Sequence, residues 1–168
     1  MKNIELKVKV DCLDGVREKL VQIQANKEGD MYQLDTYFNS EKGRLKLREI
    51  DNENFVLIYY ERPNEVESKV STYELVEFDK EGACGIKSVL QSTNGIKVVV
   101  EKKRELWIYK NTRIHLDNVN DLGEYLELET VVKDISMAEA EVEHKEIICL
   151  LELDQYQKCD VSYSDLLM

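Results

Sequence analysis

Apolar and charged residues alternate along several short stretches of the chain. Ile4-Glu5-Leu6-Lys7-Val8-Lys9-Val10 alternates strictly, as do Arg44-Leu45-Lys46-Leu47-Arg48 and Tyr125-Leu126-Glu127-Leu128-Glu129. Strand side chains repeat every second residue, so Glu5, Lys7 and Lys9 share one face, and Glu127 and Glu129 share another. Each stretch predicts a strand with one apolar and one charged face. Some of the charged faces are basic and some acidic.

The remaining pattern fills in the elements. Residues 3–10 predict a strand. Asp11 to Ala25 predicts a helix with Leu13, Val16, Leu20 and Ile23 at three-four spacing, capped by Asp11 or Asp14. Gln33–Asn39 and Gly43–Glu49 predict a hairpin about Ser40-Glu41-Lys42-Gly43. Strands over 54–61 and 71–78 flank Pro63, the only proline. Asp79 to Ser92 predicts a short helix, weakened by Gly82 and Gly85, and Asn94-Gly95 predicts a turn. Residues 96–109 and 112–117 predict a hairpin about Lys110-Asn111, and Leu122 to Val132 a last long strand. Ser136-Met137-Ala138-Glu139 is a capping box opening a helix to about Leu153, and Asp165–Met168 forms a final turn. Many strands at short spacing with few helices predict an α+β fold whose antiparallel sheet closes or nearly closes. A barrel with a charged interior must be wide enough for water or a ligand, because unpaired buried charge is costly.

Bulk properties narrow the function classes. The 168 residues, 43% apolar and 34% charged, describe one soluble globular domain. A net charge of -11 argues against nucleic acid and anionic membranes as partners. It leaves room for a local anion site, since surface charge is screened over about 8–10 Å. Cys12, Cys84, Cys149 and Cys159 show no C-x-x-C spacing, so zinc has little support, and free thiols suit a cytoplasmic protein. No signal peptide precedes Lys2, and no apolar run approaches the ~20 residues of a membrane span.

The chemistry-bearing residues fall in the predicted strands. Glu127 and Glu129 are adjacent on one face, with Asp117 on the preceding strand. Hard divalent cations prefer such carboxylates, and Mg²⁺ commonly takes one or two of them plus substrate phosphates. Lys7, Lys46, Arg48, Arg62, Lys69, Lys102, Arg104 and Arg113 all lie in predicted strands or at their ends. Any one of these read alone fits a solvated sheet face. Their joint placement opposite apolar neighbours is harder to explain as surface, and if these faces meet inside one sheet they form a site that suits a polyphosphate and its divalent metal.

The ordered motifs resemble the CYTH superfamily, which includes class IV adenylate cyclases, thiamine triphosphatases and inorganic tripolyphosphatases. Asn3-Ile4-Glu5-Leu6-Lys7 resembles its E-x-E-x-K signature, with Asn3 in place of the first Glu. Gln33-Leu34-Asp35-Thr36-Tyr37-Phe38 resembles its D-T-Y-F segment, and Gly43 to Glu49 its G-R-L-[KR]-L-R segment. Tyr59 to Pro63, Lys69 and Ser71-Thr72-Tyr73 resemble the next strands, and Lys102-Lys103-Arg104 its K-x-R. Arg113 to Asp117, Leu122-Gly123 and Leu126 to Glu129 resemble the R-I-H-L-D block and its E-x-E, and Ser162 to Leu167 the terminal S-Y-x-x-L-L.

That resemblance spans nearly the whole chain and implies one CYTH domain over residues 1–168: an antiparallel eight-stranded β-barrel, the triphosphate tunnel, with flanking helices. It implies that Glu5, Glu127 and Glu129 hold Mg²⁺ or Mn²⁺, with Asp117 a further ligand. Lys7, Lys46, Arg48, Arg62, Lys69, Lys102, Arg104 and Arg113 would grip phosphate. Lys7, Glu5 and Tyr37 would act in catalysis, Tyr37 by bonding phosphate or aiding proton transfer. A family lysine two before the proline falls on Glu61, so Arg62 enters the interior only through a bulge at Pro63. His115 is in phase with Arg113 and Asp117, while His144 is expected to be exposed; neither is assigned a role.

The function expected from this resemblance is metal-dependent hydrolysis of a triphosphate: inorganic, nucleoside or thiamine. The alternatives are a class IV adenylate cyclase forming cyclic AMP and pyrophosphate, and a non-catalytic polyphosphate or nucleotide binding module. The partner is a triphosphate-containing small molecule, and the chain is expected to be a monomer or homodimer.

Overall fold

The computed structural model describes residues 2–61 and 69–168, the side chains of 69–72 excepted. Arg62 therefore lies outside the described residues. Among the described residues, four helices and nine strands follow in the order β1 (Lys2–Lys9), α1 (Asp14–Gln22), β2 (Asn26–Phe38), β3 (Arg44–Ile50), β4 (Asn54–Glu61), β5 (Lys69–Phe78), α2 (Lys80–Thr93), β6 (Ile96–Tyr109), β7 (Thr112–Val119), β8 (Gly123–Val132), α3 (Met137–Leu150), β9 (Gln157–Lys158) and α4 (Tyr163–Leu166), with a 3₁₀ turn at Leu153–Gln155.

The sheet runs β5-β4-β3-β2-β6-β7-β8-β1-β9, and β1 also pairs with β5. All pairings are antiparallel. Eight strands thus curl round a central space. The expected barrel needs one qualification: among the described residues, β1 meets β5 only over Lys2–Glu5 against Lys69–Thr72. Further along, Val8 and Lys9 pair instead with the two-residue β9, an element absent from the sequence reading because two residues carry no period.

The apolar face of this sheet points outward, where helices cover it. Leu6 and Val8 of β1, Ile114 and Leu116 of β7, and Leu126 and Leu128 of β8 pack with Val16 and Leu20 of α1 and Ile147 of α3. Phe38, Leu47 and Phe55 pack with Ala83 of α2 on another side. Each fully buried aliphatic side chain here stabilises the fold by roughly 1.5–3 kcal/mol. The charged face is left lining the centre. A third cluster, Tyr37, Val100, Val119, Tyr125 and Tyr163, supplies two residues of that lining, Tyr37 and Tyr163 of α4.

Local details follow the sequence with instructive departures. Asp79 caps α2 by accepting from Gly82 N, and the Ser136–Glu139 capping box opens α3 as expected. α1 is shorter than predicted and takes no side-chain cap of its own; Glu124 instead accepts from Leu13 N at 2.9 Å. β2 begins seven residues before the predicted Gln33, because its polar first half gains its ladder by pairing with β6. Gly43 turns the chain into β3 at φ +61°, where an added Cβ would come within 2.7 Å of the Tyr60 carbonyl. His144, expected to be exposed, is buried, and its Nδ1 lies 2.8 Å from Thr130 Oγ1. Among the described residues, no helix is long and apolar enough to cross a membrane.

Candidate functional site

Register, not chain order, assembles the interior. Residues directly opposite in an antiparallel pair share a face with Cβ atoms about 4.5–5.5 Å apart. β1 and β8 place Glu5 opposite Glu129 and Lys7 opposite Glu127. β2 and β3 place Asp35 opposite Arg48 and Tyr37 opposite Lys46. β6 and β7 place Arg104 opposite Asp117, and β7 and β8 place His115 opposite Glu127 and Arg113 opposite Glu129. All of these groups except Asp35 and Asp117 line a cavity of about 300 Å³.

Among the described residues, six basic side chains line it, Lys7, Lys46, Arg48, Lys102, Arg104 and Arg113, against three carboxylates, Glu5, Glu127 and Glu129. The surplus of cations suits a polyanion. Lys69 lies directly opposite Glu5 in the β1–β5 register, but its side chain is outside the described residues. The structure therefore gathers every described basic position that the sequence singles out.

Two buried carboxylates brace the arginines. Asp35 accepts from Arg48 Nε and Nη2, each at 2.7 Å, and from Lys46 Nζ at 2.9 Å. Asp117 accepts from Arg104 Nε and Nη2, each at 2.6 Å, and from the Tyr163 hydroxyl at 2.9 Å. Burial opposes ionisation of both. The Arg48 and Lys46 charges outweigh it and hold Asp35 well below the usual carboxylate range. Arg104 and Lys102 do the same for Asp117, down to about 2. Each fork leaves Nη1 without a partner among the described residues, so the guanidinium keeps donors for phosphate. Asp117 was expected to ligate metal. It sits instead behind Arg104, fully buried with both oxygens engaged.

A different trio converges for a cation. His115, Glu127 and Glu129 offer ligand atoms all within 4.8 Å of one another. His115 Nδ1 is buried with no hydrogen-bond partner, 3.9 Å from Glu127 Oε2 and 3.8 Å from Glu129 Oε1. Burial and the Arg104 charge lower the His115 pKa, favouring the neutral imidazole that a metal takes. The donor set fits a divalent cation. Glu127 also accepts from Arg104 Nη2 at 2.7 Å and pairs with Lys7 at 3.2 Å, while Arg113 Nη2 lies 3.0 Å from Glu129. Asn3, at the first signature position, is buried; with its amide turned to satisfy both ends, its oxygen accepts from Arg113 Nη2 at 3.1 Å.

Titration behaviour separates the remaining groups. Burial and the Asp35 charge push the Tyr37 hydroxyl up to about 12, so it stays protonated at neutral pH. Lys46 Nζ donates to it at 3.2 Å. Burial and the neighbouring Arg104 bring Lys102 down to about 7. It can therefore hold or release a proton near neutrality.

Several contributors escaped the sequence reading. Asp35 was visible only as a letter in a motif, although its two-residue spacing from Tyr37 places it on the same face. His115 was seen in phase but given no role. Tyr163 lies 46 residues from the Asp117 it contacts, and no periodicity reports such a contact.

Comparison with known proteins agrees with this geometry. A family model described as the CYTH domain matches residues 1–160. A Methanocaldococcus jannaschii protein named "putative adenylate cyclase" is 27% identical, the alignment covering 99% of this chain and 98% of that one. Among solved structures, the PH1012 protein of Pyrococcus horikoshii superposes with a TM-score of 0.82 at 21% identity, covering 98% of each chain. A Hippeastrum protein described as a "putative adenylyl cyclase" with a dominant triphosphatase activity superposes at 0.69 and 12% identity, covering 96% of this chain and 92% of that one. At these identities the solved structures show a shared fold.

Proposed function

This chain belongs to the CYTH domain family, and on that footing we propose that it is a metal-dependent triphosphatase whose substrate lies among the cations of the central cavity. The observation that carries the reading is the convergence of six basic side chains and a His-Glu-Glu trio on one space of about 300 Å³. Phosphoryl transfer leaves a protein little covalent work; positioning and charge stabilisation do most of it.

The residues divide that work. Arg48 and Arg104, locked by Asp35 and Asp117, offer fixed donors to equatorial phosphate oxygens, and Arg113 and Lys46 add charge. His115, Glu127 and Glu129 would hold Mg²⁺ or Mn²⁺, with Glu5 lining the cavity opposite Glu129. Such an ion, when bound, neutralises bridging and terminal phosphate oxygens and acidifies a water. Lys7, paired with Glu127 beside the trio, adds a further charge to stabilise phosphate oxygens. Tyr37 remains a protonated donor at neutral pH and serves as a hydrogen-bond contact to phosphate.

The test is product analysis with tripolyphosphate, ATP and thiamine triphosphate in Mg²⁺ and Mn²⁺. Orthophosphate release from any of them supports the reading and identifies the substrate. The Methanocaldococcus jannaschii relative's name favours a second reading, an adenylate cyclase using the same clamp. Cyclic AMP with pyrophosphate from ATP would establish that in its place. Tight binding without turnover would reduce the protein to a polyphosphate-binding module.

A further inference from the structure

Ser162 and Tyr163, in the terminal motif beyond the family match over residues 1–160, line the cation-rich cavity. α4 opens with a Ser162–Asp165 capping box, and Arg44 ties it to β3 through Asp165 at 2.7 Å. So anchored, Tyr163 is 4% exposed and lines the cavity. Lys7 Nζ lies 4.1 Å from the centroid of its ring and Lys102 Nζ 4.9 Å. The Tyr163 hydroxyl donates to Asp117, the carboxylate that takes the Arg104 fork. Lys7 Nζ also donates to the Val161 carbonyl at 3.1 Å.

One side chain thus touches three parts of the phosphate clamp. A lysine is a point charge on a flexible stem and loses much rotamer freedom when fixed. An aromatic face attracts an ammonium without the full negative charge of a carboxylate. It can therefore hold a lysine in place without competing with phosphate for its charge. Placing both amines against one ring gives them a common wall. Preorganised donors bind and stabilise transferring phosphate better than donors ordered only on binding.

We propose that Tyr163 is a positioning residue of the clamp: its ring fixes Lys7 and Lys102 for the substrate, and its hydroxyl steadies the Asp117–Arg104 fork. The proposal rests on the triphosphatase reading above. It makes the terminal motif that carries Ser162 and Tyr163 part of the binding site.

The experiment compares the full chain with Tyr163→Phe and Tyr163→Leu, titrating tripolyphosphate by calorimetry and following each variant's thermal unfolding without ligand. Losing two desolvated cation–π contacts predicts at least about tenfold weaker binding in Tyr163→Leu, while Tyr163→Phe, which keeps the ring, recovers to within about threefold of wild type. In turnover, Tyr163→Leu shows a raised KM that Tyr163→Phe restores. Equal weakening in both variants would overturn the ring's role. Unchanged affinity in Tyr163→Leu would also overturn the proposal, and tighter binding would make the segment a plug. A ligand-free NMR measurement covers a Tyr163→Leu chain that fails to fold: the Lys7 and Lys102 methylene protons show upfield ring-current shifts in wild type and Tyr163→Phe, and their absence from wild type overturns the proposal. A wild-type protein that binds no triphosphate defeats the triphosphatase reading itself, an outcome distinct from wild-type binding that Tyr163→Leu leaves intact.

Discussion

Arg104 and Asp117 face each other across β6 and β7 in a two-bond fork, Nε to Oδ1 and Nη2 to Oδ2, each at 2.6 Å. Neither side chain is more than 4% exposed. The fork makes Asp117 the counter-charge of a phosphate-binding arginine. Asp117→Asn leaves Arg104 only its Glu127 contact at 2.7 Å, and losing one partner of a buried pair costs at most about 3–5 kcal/mol. Thermal or urea unfolding should show this loss, with triphosphate affinity reduced and Mn²⁺ affinity nearly kept. A folded Asp117→Asn protein that no longer binds Mn²⁺ would return Asp117 to the ligand set.

The His115, Glu127 and Glu129 trio makes an independent prediction. His115→Ala and Glu129→Gln should each weaken Mn²⁺ binding more than about tenfold, as removal of one of few protein ligands does. Electron paramagnetic resonance of free Mn²⁺ reads this without substrate. Glu129→Gln should also lower metal-dependent turnover more than about tenfold. Wild-type behaviour in both variants would place the cation elsewhere.

Arg48 and Asp35 form the second fork. Arg48→Ala should chiefly raise the KM for triphosphate, because the guanidinium contacts phosphate oxygens before and during reaction. Asp35→Asn should act in the same direction by loosening Arg48 and Lys46. Steady-state kinetics at saturating metal would check both; an unchanged KM in Arg48→Ala would remove Arg48 from the phosphate site.

His144 predicts a pH dependence of stability rather than of activity. Burial lowers its pKa to about 4, against roughly 6.5 in an unfolded chain. Between these values the unfolded state binds the proton and the folded state does not. The stability associated with neutral His144 is therefore present above about pH 6.5 and declines as pH falls towards 4, by roughly 3 kcal/mol over the window. His144→Gln should flatten the profile there, as urea unfolding at several pH values would show. An unaltered profile would mean that other groups set the acid limb.

Much of this architecture was legible because strand period and site chemistry coincide. Glu5 and Lys7 alternate with Ile4, Leu6 and Val8, all buried and the last two packed under helices, so one pattern reports both the apolar exterior and the charged lining. Lys46 with Arg48, and Lys102 with Arg104, are legible for the same reason. The motif order also pointed to the family that the comparison found. β9, the early half of β2 and the burial of His144 were not legible, because each depends on an edge or partner contributed by distant chain.

The sequence by itself determined which residues share a strand face, and hence that several basic and a few acidic side chains would travel together. Alternation is a local property, enforced by the geometry of one extended strand. It could not say what each charge would face. Register between strands far apart in the chain decided that Asp117 meets Arg104 and Asp35 meets Arg48. The same register placed His115 beside Glu127, and the return of the C-terminal segment put Tyr163 under two lysines. A carboxylate that would serve as metal ligand in one pairing becomes an arginine anchor in another, because its neighbours set its charge and its free lone pairs. Those neighbours exist only once the sheet has curled.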